Sequence, residues 1–507
     1  MSITSIPYLL FCVLVIVLYF TVFKKRQWVL LLIASMVFYF INCNEYFYFM
    51  IITVASTYFI TKKMDNIYQA TESKKIAKQK AKKLLLVQLF FSVGVLVFVK
   101  YASTMFLPVF DILPLLGIDS TGFVINIIAP LGISFYTFAI VGYTLDVYWR
   151  RSRNENNFFK LLLFCIYFPQ VLSGPIPRYK NLMPQFSESH SFDLDNLQEG
   201  VFLILFGLVK KLIIANRIFY FVNPYFDNPQ DFSGQLFILV MMFYSIGGYA
   251  DFSGTIDIIS GVSKILNIKL DPNFNHPYFS RSMKEFWQRW HISLNTWFRD
   301  YVLYPVTLSK LEKKINSFNK KHFTKDKVRS LTNMLPLIVV WALTGMWHGN
   351  SWNFLIWGLY HFVLLASSLL MESQLNSLNR IFRINNDSKI ISFLQMFRTF
   401  MLCTIGRIFF RTNDLFDAGY IFKTIFTKGN ITIMDFANKN ILIIVIYAIL
   451  LLNISLVEER DGSMFMWLKD KNTLFKVLFF YLLIFSSIAL GFYGPGLGDL
   501  GFAYQDF

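Results

Sequence analysis

Long apolar runs recur along the whole chain, and they restrict its fold more than any other feature. A helix needs roughly 20 mostly apolar residues to cross the hydrocarbon core of a bilayer. Hydrophobic residues make up 55% of the chain. Charged residues make up 16%, whereas in soluble domains about a quarter of the residues are charged. The sequence predicts an all-α, multi-pass integral membrane protein with about 11–13 membrane helices plus interfacial and re-entrant helices. The predicted spans are 6–23, 28–41, 46–60, 84–107, 123–149, 158–172, 197–222, 236–266, 331–347, 352–371, 391–410, 441–456 and 474–493.

The placement of lysine and arginine predicts the orientation, because cytoplasmic loops carry an excess of both residues. Basic clusters at 24–26, 62–83, 150–153 and 310–329 should face the cytoplasm. The amino terminus and the segment 494–507 should then face outside. The first run lacks a basic segment before it and a small-residue cleavage site after it, so we expect a retained span. The net charge of +17 lies in these loops without interleaved aromatic residues, and it does not indicate nucleic-acid binding.

The apolar runs continue along the whole chain, so the sequence indicates one membrane domain over 1–507. We divide it into N-terminal helices at 1–170, a motif-bearing core at 171–371, and C-terminal helices with an extracytoplasmic tail at 372–507. No phosphate-binding glycine loop, zinc signature or Gly-x-Ser-x-Gly elbow occurs, so no metal site is predicted. The cysteines have no metal-ligand or redox-motif spacing and are expected to pack as apolar residues. They are Cys12, Cys43, Cys165 and Cys403.

Two stretches differ from the pattern of an ordinary membrane-spanning helix. Pro175 and Pro177 break the helical pattern in 172–179, and irregular backbone at membrane depth must be buried in protein or line a wet cavity. In 282–304, aromatic and apolar residues recur at helical spacing beside a polar stripe. This pattern predicts one amphipathic helix, at the interface or packed into the bundle. The stripe consists of Gln288, His291, Asn295 and Arg299.

Two histidines are candidates for chemistry. His348 stands between two apolar spans, where an ionisable residue usually faces a cavity or a site, although it could simply bridge two helices. Gly345 and Gly349 flank it, and they should allow the backbone to turn and another molecule to approach. His291, on the polar stripe, could be functional or merely solvated. The other histidines are expected to be structural, and they are His190, His276, His322 and His361.

Two carboxylates interrupt the apolar run at 236–266. Asp251 and Asp257 are costly there unless a lysine or arginine of another helix pairs with them, or unless they take part in catalysis. Both interpretations are compatible with the sequence.

Several motifs, taken in order, resemble the membrane-bound O-acyltransferase (MBOAT) family. They are Tyr249-Ala250-Asp251-Phe252-Ser253-Gly254, Asn273-Phe274-Asn275-His276-Pro277-Tyr278, Glu285-Phe286-Trp287-Gln288-Arg289-Trp290-His291, and Gly345-Met346-Trp347-His348-Gly349. The segment 173–180 matches as well. The chain looks most like the bacterial branch that acetylates alginate or peptidoglycan, and D-alanyl transfer to teichoic acid is the more distant alternative.

The resemblance implies that His348 is the catalytic histidine and His291 a second functional histidine. Polymer-acylating members of the family often end in an aromatic tail with a tyrosine thought to carry the acyl group, and Tyr504 loosely matches it. A frayed terminus is the alternative for this tail. Further candidates for the substrate path are Asn295, Arg299, Asp251 and Arg178.

The expected function is O-acetylation of a cell-surface polysaccharide by a multi-pass protein of the plasma membrane. The donor would be acetyl-coenzyme A or a carrier-protein thioester, with no tightly bound cofactor, and His348 would act as general base. His291, with Asn295 or Arg299, would orient a reactant or stabilise the oxyanion. The resemblance also implies an extracytoplasmic partner acyltransferase of the SGNH-hydrolase type. A transporter or polymer exporter is the rival class, and a non-catalytic scaffold is a weaker one.

Overall fold

The computed structural model describes residues 1–43, 47–112, 130–232, 234–383, 385–386, 388–427 and 439–493. Within these residues the regular elements are helices, and one isolated β-bridge joins Phe274 to Trp290. The prediction of an all-helical protein is therefore confirmed. The predicted tail with Tyr504 lies outside the described residues.

The helices are numbered in chain order. In the first part of the chain they are α1 Ile6–Phe20, α2 Gln27–Asn42, α3 Phe47–Ala70, α4 Lys74–Ile112, α5 Ile133–Tyr148, α6 Phe158–Ile166, α7 Tyr179–Ser187, α8 Leu194–Leu208, α9 Asn216–Asp227, α10 Leu236–Ile265, α11 Met283–Arg289 and α12 Ile292–Phe298. The later helices are α13 Tyr304–Thr307, α14 Lys310–His322, α15 Lys325–Leu331, α16 Met334–His348, α17 Trp352–Leu370, α18 Glu372–Ile381, α19 Lys389–Arg411, α20 Leu415–Thr427, α21 Lys439–Asp461, α22 Met464–Lys469 and α23 Thr473–Ala489. Two π-helical segments, Val209–Ala215 and Arg299–Leu303, continue α8 and α12 without a break.

Five helical stretches of the described chain are long and apolar enough to cross a bilayer. They are Lys74–Ala102, Leu236–Ile265, Trp352–Leu370, Lys389–Arg411 and Leu442–Arg460. Four shorter apolar helices, α1, α2, α16 and α23, also lie on predicted spans. These helices confirm a multi-pass membrane protein, whereas the number of 11–13 spans and the orientation stay predictions.

The described chain divides into two compact units, and the division into 1–170, 171–371 and 372–507 stays a prediction. The first unit comprises Met1–Val201 and Ile259–Asp271. Helices α3, α4 and α5 pack together there, and Gln88 of α4 donates to Thr57 of α3 at 2.8 Å. His190 also belongs to this unit and bonds the Tyr19 hydroxyl through Nδ1 at 2.8 Å, which fits its expected structural role.

The predicted span 158–172 is wrong in its length. Helix α6 ends at Ile166, and its nine residues cover roughly 14 Å, about half of the hydrocarbon core. Pro169 follows closely, and the backbone then runs irregularly through Pro175 and Pro177 until α7 begins. The irregular segment predicted at 172–179 is thus present. It is buried within protein in large part, as the physical argument requires.

The second unit comprises Phe202–Ile258 and the chain from Pro272 onward. It contains α11 to α17, most of α10, and the helices that follow α17. Helices α16 and α17 form an antiparallel pair joined at Gly349, and α17 also packs on α19. This unit holds both candidate histidines.

Candidate active site

The segment predicted as one amphipathic helix over 282–304 is broken in the structure. Helix α11 ends at Arg289, α12 begins at Ile292, and His291 between them takes a left-handed conformation with φ of 46°. The prediction of a continuous helix is therefore wrong. Local spacing favoured a helix, but hydrogen bonds from a distant loop compete for the backbone at this point.

These hydrogen bonds come from the loop at 273–275. The Asn275 N–H donates to the Arg289 carbonyl at 2.9 Å, and the Ile292 N–H donates to the Asn273 carbonyl at 2.9 Å. Inside the break, the Asn295 amide donates to the carbonyls of Trp287 and Trp290 at 2.7 and 2.6 Å. The backbone groups that a continuous helix would pair are thus paired elsewhere, as buried polar groups must be.

His291 is buried, with 2% of its surface exposed, so the interpretation of a solvated histidine is wrong. Its ring packs edge-on against Phe252 of α10 at 4.9 Å between centroids, and against Trp347 at 6.1 Å. The short segment that carries it lies outside the candidate membrane-spanning helices. Burial lowers the pKa of His291 from 6.5 to about 3, so the ring is neutral at physiological pH.

His348 is the last residue of α16 and is 3% exposed. Three aromatic rings lie within 5.0 Å of its imidazole, with centroid distances of 4.6 Å to Trp347, 4.9 Å to Trp357 and 5.0 Å to Phe410. The ring is thus positioned by residues of α16, α17 and α19. Such an apolar shell restrains the orientation of the ring.

Trp347 is the residue that both histidines contact. Its indole contacts His348 and His291, which come from segments far apart in the sequence. The structure therefore brings together the two residues that the sequence singled out. Two imidazoles beside one indole, in a region shielded from water, could bind a reactant and exchange a proton with it.

Close packing of α16 on α17 fixes the position of His348. A Cβ on Gly358 would lie 2.3 Å from the Trp341 carbonyl oxygen, and a Cβ on Gly345 would lie 2.3 Å from that of Phe354. Gly349 lies where the chain turns from α16 into α17, and its backbone is extended, with φ of 175°. Its hydrogen faces the Phe354 ring, and a Cβ would lie 2.3 Å from that ring.

The two carboxylates of α10 pair with lysines, as one interpretation of the sequence proposed. Lys211 Nζ lies 2.5 Å from Asp251, and Lys210 Nζ lies 2.7 Å from Asp257. Both lysines stand in the π-helical segment after α8, where Gly207 and Gly254 let the two helices approach. Asp251 immediately precedes Phe252, so this part of α10 contacts both a lysine and His291.

The remaining predicted site residues are Asn295, Arg299 and Arg178. Asn295 holds the break between α11 and α12, and Arg299 forms an ion pair with the adjacent Asp300 at 3.0 Å. Arg178 precedes α7 in the first unit. Roles of these residues and of Asp251 in the substrate path stay predictions.

His361, expected to be structural, is a useful comparison with His348. It is 2% exposed and packs on Trp357 at 4.9 Å, the same distance as His348. The rings of Trp287, Trp341 and Tyr360 also contact it. Two buried histidines therefore contact the same tryptophan, Trp357. Among the ring contacts of the described residues, only His348 of the two also contacts Trp347.

An apolar cavity of about 370 Å³ lies within the second unit. It is lined by α10, the loop at 276–279, Phe400 and α21. Tyr249 and Tyr278 line it and also contact the Trp290 ring, at 6.1 and 6.3 Å. The cavity reaches the aromatic wall that precedes His291, but neither His291 nor His348 lines it.

Sequence reasoning missed the roles of Asn273, Trp347 and Phe410. Asn273 and Trp347 lie within the motifs quoted above, and those motifs are the sequence signal that could have identified them. Phe410 ends a predicted span and has no distinguishing local pattern, so only the packing of α19 on α17 identifies it.

The family model for membrane-bound O-acyltransferases matches residues 149–411, just over half of the chain. The matched region includes His291, Trp347 and His348. The chain belongs to the membrane-bound O-acyltransferase family. The resemblance identified from the motifs is thereby confirmed.

Similar proteins in the MBOAT family include a probable alginate O-acetylase of Azotobacter vinelandii, 31% identical over 62% of this chain and 56% of that protein. A peptidoglycan O-acetyltransferase of Helicobacter pylori is 29% identical over 78% of this chain and 72% of its own length. A teichoic acid D-alanyltransferase of Bacillus subtilis is 33% identical over 48% of this chain and 59% of its own length. The chain spans little more than half the length of the alginate relatives that it matches.

Proposed function

We propose that this chain is a membrane O-acyltransferase that transfers an acyl group, most simply acetyl, from a cytoplasmic thioester for O-acetylation of a cell-surface polysaccharide. The observation that carries the proposal is the convergence of His291 and His348 on Trp347, within the region that matches the family. The names of the alginate and peptidoglycan relatives support acetyl as the group and a polysaccharide as the final acceptor.

The step proposed at His348 is one acyl transfer from the thioester to an acceptor hydroxyl. His348 accepts the proton of the acceptor hydroxyl, and the hydroxyl oxygen forms a bond to the acyl carbon of the thioester. The carbon–sulfur bond then breaks, and the departing thiolate takes the proton from His348. General base catalysis of this kind typically accelerates a reaction by about 10² to 10⁴ fold. The aromatic shell of Trp347, Trp357 and Phe410 limits the access of water, which would otherwise hydrolyse the thioester.

Acetyl-coenzyme A and a carrier-protein thioester are the two proposed donors, and neither is expected to stay bound as a cofactor. An extracytoplasmic acyltransferase of the SGNH-hydrolase type is the proposed partner, and the plasma membrane is the proposed location. Tyr504, outside the described residues, is proposed as an intermediate carrier of the acyl group on the outer face.

D-alanyl transfer to teichoic acid is the second candidate function. The similarity to the teichoic acid D-alanyltransferase favours it, since that identity of 33% exceeds the identity to the acetylating relatives. That similarity covers less of the chain, however, 48% against 62% and 78%. The same imidazole chemistry would serve either acyl group.

The test uses purified protein in vesicles with radiolabelled acetyl-coenzyme A, or a labelled acetyl or D-alanyl carrier-protein thioester, on the cytoplasmic side. Polysaccharide and the outer-face partner are added on the other side. We expect covalent label on the polymer from an acetyl donor and little from the D-alanyl donor. Movement of polymer without covalent label would support the transporter instead, and label from D-alanyl alone would support the second candidate.

A further inference from the structure

The side chain of Asn273 lies against His291 in a geometry that defines its hydrogen bonds. Its Oδ1 lies 3.1 Å from His291 Nδ1, and it accepts from the Ser293 hydroxyl at 2.8 Å and from the Ser293 backbone N–H at 3.2 Å. Asn273 and His291 are 1% and 2% exposed, so water does not compete for these contacts.

The Ser293 backbone settles which way the Asn273 amide points. A backbone N–H can only donate, so the Asn273 atom that it meets must be the carbonyl oxygen. The flipped amide would place an NH₂ group against this N–H, two donors facing each other. The ambiguity between oxygen and nitrogen that usually attends an asparagine is therefore removed here.

The same oxygen then decides the tautomer of His291. A carbonyl oxygen can only accept, so the hydrogen between it and the imidazole must lie on Nδ1. In a neutral imidazole that carries its hydrogen on Nδ1, the other nitrogen, Nε2, has a lone pair. It can accept a hydrogen bond from a reactant but cannot donate one.

We propose that Asn273 is a positioning residue that holds neutral His291 as the Nδ1–H tautomer, so that Nε2 accepts a hydrogen bond from a reactant. The proposal rests on the proposed acyl transfer and assigns His291 within it. Stabilising an oxyanion requires a donor, so the orienting role of His291 is the one that this hydrogen bonding supports.

The group that Nε2 binds must carry an N–H or O–H. Two reactants of the proposed reaction do so: the acceptor through its hydroxyl, and the thioester through the amide N–H groups of its phosphopantetheine arm. The two sources are separated by kinetics, because the loss of the bond raises the KM of the reactant concerned and leaves the KM of the other reactant unchanged.

The first experiment reads the tautomer directly. Protein labelled with ¹⁵N-histidine is reconstituted in lipid, and the ring nitrogens of His291 are assigned by their loss in a His291→Asn variant. We expect a protonated Nδ1 and an unprotonated Nε2 in the wild type, and a mixture of tautomers in Asn273→Ala. A hydrogen on Nε2 of the neutral wild-type ring would overturn the proposal, whether or not the protein transfers acyl groups.

The second experiment measures kcat and the KM of each reactant in three variants. Asn273→Ala should lower kcat/KM by about 10- to 100-fold, the usual loss when the partner that orients a functional histidine is removed. Asn273→Asp should recover much of the loss, since a carboxylate oxygen accepts from both Nδ1–H and the Ser293 N–H. Asn275→Ala, in the same loop and exposed, is the control and should resemble the wild type.

A purely structural role of Asn273 would give a different pattern. The alanine and aspartate variants would then lose protein from the membrane together, while the His291 tautomer and the kinetics of the protein that remains would be unchanged. That result, or wild-type kinetics in Asn273→Ala, would overturn the proposal. If the wild type transfers no acyl group at all, the proposed function fails, but the tautomer measurement still decides the role of Asn273.

Discussion

Two regions of the second unit bury titratable side chains, and they do so in opposite ways. In the ion-pair region each carboxylate lies within 2.7 Å of a lysine nitrogen, so the charges compensate each other. In the imidazole region aromatic rings surround the histidines, and burial keeps His291 neutral. The ion-pair region consists of Lys210, Lys211, Asp251 and Asp257, and the imidazole region of His291, Trp347 and His348.

This difference distinguishes buried groups that stabilise the fold from buried groups that can react. A buried ion pair that is also hydrogen-bonded engages both of its charged groups and is costly to break, which suits a structural role. A neutral imidazole with one lone pair can accept a proton when a reactant arrives. The comparison therefore favours the histidines over Asp251 and Asp257 as the reacting groups.

The largest effect on stability is expected when one charge of the ion-pair region is left alone. Lys211→Met leaves Asp251, whose side chain is 1% exposed, without its lysine, and should lower the free energy of unfolding by about 3–5 kcal/mol. The double variant Lys211→Met/Asp251→Leu should recover most of this loss. Thermal unfolding in detergent micelles measures both.

The matched control for this prediction is the more exposed pair Arg411–Asp227, in which the Asp227 side chain is 54% exposed. Asp227→Asn should cost less than about 1 kcal/mol, because water solvates both charges. If Lys211→Met unfolds no more easily than Asp227→Asn, the ion-pair region does not have the role given to it here.

A smaller effect is expected from the packing that supports the imidazole region. Gly358→Ala places a methyl group 2.3 Å from the Trp341 carbonyl oxygen, so α16 and α17 must move apart. Overpacking of this kind typically costs about 1–3 kcal/mol, and it should also lower acyl transfer by displacing His348. Thermal unfolding and transfer rates are measured on the same preparation.

Gly419 of α20 provides the control, since a Cβ there meets no atom within 4 Å. Gly419→Ala should be neutral or stabilise the protein by up to about 1 kcal/mol, because alanine favours helix. Equal destabilisation by both glycine substitutions would show that close approach of α16 and α17 is not what matters.

The smallest effect concerns pH. The pKa of His291 is lowered by burial from 6.5 to about 3, so between these values the unfolded chain binds a proton that the folded protein does not. Its contribution to stability is therefore complete above pH 6.5 and is lost as the pH falls toward 3. The melting temperature of the wild type should decrease from pH 7 to pH 5, and His291→Gln should weaken that decrease. An unchanged pH dependence in this variant would contradict a neutral, buried His291.

The sequence predicted those features that depend on local pattern. Apolar runs identified the helices that are long and apolar enough to cross a membrane. The cost of Asp251 and Asp257 in such a run led to two interpretations, one of which was pairing with a lysine or arginine. The family motifs singled out His291 and His348. All three inferences use residues that are close together or chemically distinctive.

Two of the features that were missed depend on contacts between distant segments, and one depends on nearby prolines. The break at His291 could not be inferred from 282–304, because hydrogen bonds from Asn273 and Asn275 compete with the helix there. The length of α6 was overestimated, since apolar composition continued past Ile166 although Pro169 and Pro175 limit the helix. The shared contact with Trp347 required the tertiary packing of α16 against the break.

The most direct test of the central claim compares two alanine substitutions, His348→Ala and His361→Ala. Each removes a buried imidazole that lies 4.9 Å from Trp357, so the cavities that they leave are similar. With equal amounts of both variants in the membrane, we expect labelled acyl transfer to fall at least about 100-fold in His348→Ala, as for a lost general base, and to persist in His361→Ala. Wild-type transfer by His348→Ala, or equal loss in the two variants, would contradict the account.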